Sequence, residues 1–231
     1  ETLITSGVSG GLVLALLTCV GQGDEVLVPD PYFVMYRHLI SLCGASPVYV
    51  DTYPDFQLTA ERIEPLITRK TKLLLFNSPS NPTGVVASDR VCREIAELAS
   101  QHGLLLLCDE IYDQFCYQKV LRNDGAYLCP SPAAYCDQLL LLRGFSKTYG
   151  MPGWRLGYAA GPAPIVEQMT KLQQYSFVCA PSMAQLAAVA AMDLDMSAAV
   201  DRYRHRRDRV VNSLSDAFEL ATPEGAFYAF P

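Results

Sequence analysis

The chain has 231 residues, half of them hydrophobic and 18% charged, which suits one large packed domain or a domain with part of another. Its net charge of −6 argues against a nucleic-acid partner. No apolar stretch reaches the roughly 20 residues of a bilayer-spanning helix, so no membrane partner is expected.

In chain order, "TLIT" (Thr2–Thr5) reads as a strand and "SGVSGG" (Ser6–Gly11) as the start of a helix. The apolar run from Leu12 to Val20 continues it as a buried helix. Apolar runs follow near Val26 ("EVLVP"), near Val48 ("PVYVD") and at Leu73–Phe76 ("KLLLFN"). Ser88 can cap a helix from Asp89 to about His102, with Gly103 as the stop and Val91, Ile95, Leu98 and Ala99 on one face. Leu104–Cys108 ("LLLLCDE") and Leu139–Leu142 ("LLLLR") are further strand candidates. Ala184–Leu194 reads as a helix, and Ser197–Phe218 as a long one. Its arginines, Arg202, Arg204, Arg206, Arg207 and Arg209, read as a solvated face. "EGAFYAF" near the end reads as a strand under way, and with Glu1 in place of a methionine both ends are expected to be cut.

The strand candidates are continuous rather than alternating in polarity. That is the pattern of strands buried on both faces, as in a mostly parallel sheet covered by helices. The fold expected is therefore α/β, with three layers. The cysteines, Cys19, Cys43, Cys92, Cys108, Cys116, Cys129, Cys136 and Cys179, form no C-x-x-C pair and several lie in apolar runs. They read as reduced, mostly buried thiols of a cytoplasmic protein. His38, His102 and His205 are too scattered for a zinc site, so no metal is expected.

In open α/β sheets, ligands bind beyond the carboxyl ends of the strands. After Phe76 comes "NSPSNPTG", after Cys108 "DEIYDQF", and after Leu142 "RGFSKTYGMPGWRLGY". With the Gly-rich helix start, these supply an amide, a carboxylate with a tyrosine, and a lysine with an arginine. A free amine, with a pKa of ~10.4, is a poor nucleophile at neutral pH; partial burial and nearby cations make it usable. Lys147 has that setting, whereas Lys70, Lys72, Lys119 and Lys171 lie in polar or helical surroundings.

"SKTYGMPGWRLGY" resembles the cofactor-lysine signature of the class I/II aminotransferases, the fold-type-I enzymes of pyridoxal 5'-phosphate. "NPTG" at Asn81–Gly84 and the pair Asp109 and Tyr112 are similar to two further motifs of that family, in the family's order. The resemblance runs from Thr5 to about Tyr228 and is strongest to the aspartate-aminotransferase-like branch, given "GWRLGY" and "QQYSFVCAPSMAQ". It implies a large cofactor-binding domain over residues 1–196, a long helix over 197–220 and the start of a small domain over 221–231. It also implies a homodimer in the full-length protein, with amino acids and 2-oxo acids as substrates exchanged in ping-pong fashion.

The roles implied by the resemblance follow. Lys147 holds the cofactor as a Schiff base and later shuttles the substrate proton. Asp109 faces the pyridine nitrogen and keeps the ring protonated. Tyr112 and Asn81 hydrogen-bond the phenolic oxygen. Arg155 grips the phosphate with Ser9, Gly10 and Gly11 at the helix start, and Ser146 supplies part of the same grip. Gly144 stands where some relatives carry a phosphate-binding serine. Phe33, or its neighbour Tyr32, stacks on the ring. The arginine for the substrate carboxylate and the covering N-terminal segment are absent, so the isolated chain is expected to be inactive.

Three other readings use some of the same residues. "GVSGG" (Gly7–Gly11) also fits a nucleophile elbow with Ser9, but the histidine it needs, His205, sits in the arginine-rich helical run. A pyridoxal-phosphate lyase or synthase, and a cofactor-binding regulator without turnover, remain the alternatives to transamination.

Overall fold

The computed structural model describes residues 1–117 and 129–231. Lys119 lies outside the described residues. The elements are β1 (Thr2–Thr5), α1 (Gly7–Cys19), β2 (Glu25–Asp30), α2 (Met35–Leu42), β3 (Ser46–Asp51), α3 (Ala60–Ile63) and β4 (Thr71–Asn77), then α4 (Asp89–Gln101), β5 (Leu105–Asp109), β6 (Leu139–Gly144), β7 (Gly157–Ala160), α5 (Ala163–Gln174), α6 (Ser182–Met192) and α7 (Ser197–Leu214). Among the described residues the strands form one sheet in the order β1-β7-β6-β5-β4-β2-β3. Every pairing is parallel except those of β7 with β6 and with β1.

Successive side chains of the central strands point to opposite faces, and both faces are covered. Leu73, Leu75, Leu107, Leu140 and Leu142 pack with Leu12, Leu16, Tyr36, Ile40 and Met169 of α1, α2 and α5. Leu74, Phe76, Leu106 and Cys108 pack with Ile63, Val91, Ile95 and Ala99 of α3 and α4. This double burial explains the unbroken apolar runs and makes the fold a three-layer α/β sandwich. Helix α4 starts as its sequence dictates: Ser88 Oγ accepts from the Val91 N–H at 3.3 Å. Its buried Val91, Ile95 and Leu98 are each worth about 1.5–3 kcal/mol of apolar burial.

Two expectations near the C-terminus do not hold. Residues 221–231 form no strand; they make only an isolated bridge between Gly225 and Cys116. The segment is instead clipped to loops: Glu224 N–H bonds Gly84 O, and Ala226 N–H bonds Phe115 O, both at 2.9 Å. Helix α7 ends at Leu214, short of Phe218. Of the cysteines, Cys92, Cys108, Cys116 and Cys129 are buried, Cys179 is exposed and the rest are half-buried.

Candidate active site

The carboxyl ends of β1, β4, β5 and β6 lie on one edge of the sheet. Register fixes their alignment: Asn77 pairs with Asp109, Asp109 with Leu142, and both Gly144 and Thr5 with Gly157. Strand β7 runs the other way, so its beginning faces this edge and brings Arg155 to it. Gly157 allows the convergence, because a Cβ there would lie 2.8 Å from Gly7 C and 2.9 Å from Val8 N. A cavity of about 190 Å³ opens here. Ser9, Phe33, Asn81, Asp109, Tyr112, Ser146, Lys147 and Arg155 all line it.

Gly10 and Gly11 are buried on α1 and do not line the cavity. A Cβ on Gly11 would stand 3.1 Å from Leu142, so this glycine brings the helix close to the sheet. Tyr32 stacks on Tyr49 at 5.2 Å and is also away from the cavity. Phe33 meets Tyr36 edge-on at 5.5 Å.

Asp109 is 3% exposed at the end of β5. Burial pushes its carboxyl up to about 6, opposed by hydrogen bonds from the Tyr36 hydroxyl to Oδ2 at 2.8 Å and from the Ile111 N–H to Oδ1 at 3.3 Å. Asn77 Nδ2 donates to the Asp109 main-chain oxygen at 2.8 Å, and Asn77 Oδ1 accepts from the Asn81 N–H at 2.8 Å. One amide thus ties the Asn81 loop to the end of β5.

Lys147 lies half-buried in the loop after β6. Its Nζ is 5.5 Å from the centre of the Phe227 ring and 5.9 Å from that of Tyr112. The Tyr112 hydroxyl is hydrogen-bonded to the Tyr228 hydroxyl, and Asn81 lines the same cavity. Burial, reinforced by Tyr228, holds Tyr112 well above the ordinary tyrosine range, so it stays a neutral phenol.

The other end of the cavity is built for an anion. The first turn of α1 has no side-chain cap, so its first N–H groups lack a side-chain acceptor where Val8, Ser9 and Arg155 line the cavity. Arg155 is held by Pro152 O at 2.9 Å and reaches Ser146 Oγ at 3.5 Å.

Behind the site, a buried ionic network links the turn after Asp109 to the loop that carries Lys147. Arg143 Nη2 and Nε donate to Glu110 Oε2 at 2.7 and 3.0 Å, and Ser131 Oγ donates to Glu110 Oε1 at 2.5 Å. Thr148 Oγ1 donates to Asp113 Oδ1 at 3.2 Å, and Asp113 Oδ2 lies 3.7 Å from Arg143 Nε.

Sequence reasoning passed over Tyr36, Asn77 and Tyr228, all of which line the cavity. Tyr36 stands three residues after Phe33, the spacing that puts two side chains on one helical face, and that spacing was the available signal.

An acid, an amine and an anion-binding helix start around one cavity match what pyridoxal phosphate presents: a ring nitrogen, an aldehyde and a phosphate. Comparison with known proteins agrees. The chain matches the family "Aminotransferase class I and II" over residues 1–231. It is 39% identical to a probable aspartate aminotransferase of Methanocaldococcus jannaschii, over 99% of this chain and 61% of that protein. It superposes with a TM-score of 0.92 on the aromatic aminotransferase of Pyrococcus horikoshii, at 35% identity over 100% of this chain and 63% of that one. With the aspartate aminotransferase of Thermus thermophilus bound to maleate the TM-score is 0.91, at 33% identity over 99% and 60%. The chain belongs to the class I/II aminotransferases, a pyridoxal-phosphate-dependent family, in its aspartate-aminotransferase-like branch. It spans about 61% of the length of the archaeal relative.

Proposed function

We propose that the chain carries the cofactor site of an aminotransferase that moves an amino group between an L-amino acid and a 2-oxo acid. The observation that carries this is the meeting of Asp109, Lys147 and the uncapped start of α1 around one cavity. Bound there, pyridoxal phosphate supplies an aldehyde for the amino group and a ring that draws electrons from the α-carbon.

The residues divide the work by position. Asp109 holds the ring nitrogen protonated from its buried seat. The first-turn amides of α1, Ser9, Ser146 and Arg155 hold the phosphate. Tyr112 and Asn81 donate to the phenolic oxygen, and Phe33 covers the ring. Lys147 Nζ is the amine that would hold the aldehyde carbon and, when released, would carry the α-proton of the substrate as base and then as acid.

A homodimer is proposed as the assembly. Met183, Leu186, Val189 and Met192 of α6 are exposed, with Tyr175 (89% exposed) and Val178 beside them, which supports a covered apolar face. Light scattering of the purified protein reads the oligomeric state directly.

The central test is borohydride reduction of the cofactor-loaded protein followed by peptide mapping. Label on Lys147 is expected; label elsewhere, or none, overturns the assignment. Amino transfer to a 2-oxo acid without release of ammonia or thiol separates transamination from a lyase.

A further inference from the structure

Tyr36 does more than fill the core. Its ring is 1% exposed between α2 and the sheet, yet its hydroxyl ends on the carboxylate of Asp109, at 2.8 Å from Oδ2. Among the described residues no other side chain hydrogen-bonds that carboxylate, and none forms an ion pair with it. The ring is confined by its near-complete burial and by a T-shaped contact with the Phe33 ring at 5.5 Å.

We propose that Tyr36 is a positioning residue: its hydroxyl holds Asp109 ionised and fixed in rotation, ready for a protonated ring nitrogen. The role assigned to the nitrogen rests on the cofactor site proposed above; the hold on Asp109 does not.

The chemistry runs as follows. A carboxylate removed from water tends to take up a proton, and a neutral acid cannot keep a pyridine nitrogen charged. A buried carboxylate is held as an anion by donors that cannot themselves give up the proton. Tyr36 is such a donor, since burial and the adjacent Asp109 both push its own ionisation well above the ordinary tyrosine range. The proton stays on the phenol and the charge on the acid. The Ile111 N–H supplies the second bond, to Oδ1.

The other groups around Asp109 do not replace this contact. Asn77 of β4 bonds the main-chain oxygen, not the carboxylate. Tyr112 and Tyr228 bond each other. Glu110 and Asp113 turn to Arg143. Lys147 and Arg155 line the same cavity, but among the described residues neither hydrogen-bonds Asp109.

The test is Tyr36→Phe, which keeps the ring and removes only the oxygen. In the cofactor-free chain labelled with ¹³C at aspartate carboxyls, Asp109 is assigned as the resonance lost in Asp109→Asn. Its titration midpoint is expected to rise by about one unit or more in Y36F, roughly tenfold in the protonation equilibrium. Site-specific 3-fluorotyrosine at position 36, a stronger donor of the same shape, is expected to lower the midpoint. Neither shift is expected if Tyr36 only packs, so unchanged midpoints in both variants overturn the proposal. Equilibrium dialysis with pyridoxal phosphate is the second arm. Y36F is expected to bind several-fold more weakly than the parent, with the larger loss at pH 6 than at pH 8. Equal affinities at both pH values overturn the positioning role. Should the parent bind no pyridoxal phosphate, the cofactor reading fails, and the carboxyl titration alone decides whether Tyr36 holds Asp109.

Discussion

Gly7 and Arg155 approach so closely that only a glycine fits: a Cβ on Gly7 would fall 2.7 Å from Arg155 Nη2, and Gly7 has φ +69°. Gly7→Ala forces a left-handed backbone on a residue that resists it, at about 1–2 kcal/mol, and displaces the guanidinium. The expected outcome is a loss of stability of that size in urea denaturation. Binding of pyridoxal phosphate is expected to weaken by about tenfold, a change on the order of 1.4 kcal/mol, while pyridoxal without its phosphate binds as before. Equal losses for both ligands would contradict the phosphate grip.

Asp109 makes stability depend on pH. Burial raises its carboxyl from 3.8 to about 6, so between about pH 4 and 6 the folded chain holds more protons at this group than the unfolded chain does. Stability therefore falls as pH rises through that window and levels off above it. A shift of about two units amounts to roughly 3 kcal/mol. Asp109→Asn in the cofactor-free chain is expected to be the more stable protein at pH 7 and to match the parent near pH 4. Urea midpoints of the two proteins at four pH values read the difference, which separates Asp109 from Glu110 and Asp113, also raised by burial. The site thus gives up stability for function.

Arg143 compensates Glu110, whose side chain is 2% exposed. Arg143→Met leaves that charge buried without its partner, and a loss of about 3–5 kcal/mol is expected. Glu110→Leu added to Arg143→Met is expected to restore much of it. If the double variant is no more stable than the single one in denaturant titration, the pair does not account for the loss.

Ser88 is a simple cap, and Ser88→Ala removes the acceptor for the Val91 N–H. A loss of about 1 kcal/mol is expected, read as a lower thermal midpoint with unchanged cofactor binding.

The strands were legible where a run is buried on both sides, as at Leu73–Phe76 and Leu104–Cys108, because double burial leaves no polar interruption. Strand β7 was not, since "GYAA" is short and made of small residues that give no apolar run. Residues that act by chemistry at strand ends, such as Asp109 and Lys147, stood out against apolar neighbours. Tyr36 did not, because a buried tyrosine on an amphipathic helix has the same signature whether its oxygen is used or not. "EGAFYAF" has strand-like composition, but its backbone partners belong to loops distant in sequence, at Gly84 and Phe115, and no local pattern encodes them.

The reversed direction of β7 also sets a length. Gly144 and Gly157 are paired across β6 and β7, so the ribbon between them carries both the amine and the guanidinium and is pinned at its two ends. An insertion there would change the span between Lys147 and Arg155 or slip the pairing of two strands by a residue. The turn at Gly21–Gly23, where a Cβ on either glycine meets nothing within 4 Å, carries no such measure. Chain length is thus free to vary at one rim of the sheet, and at the other it works as a ruler cut to the size of a single small molecule.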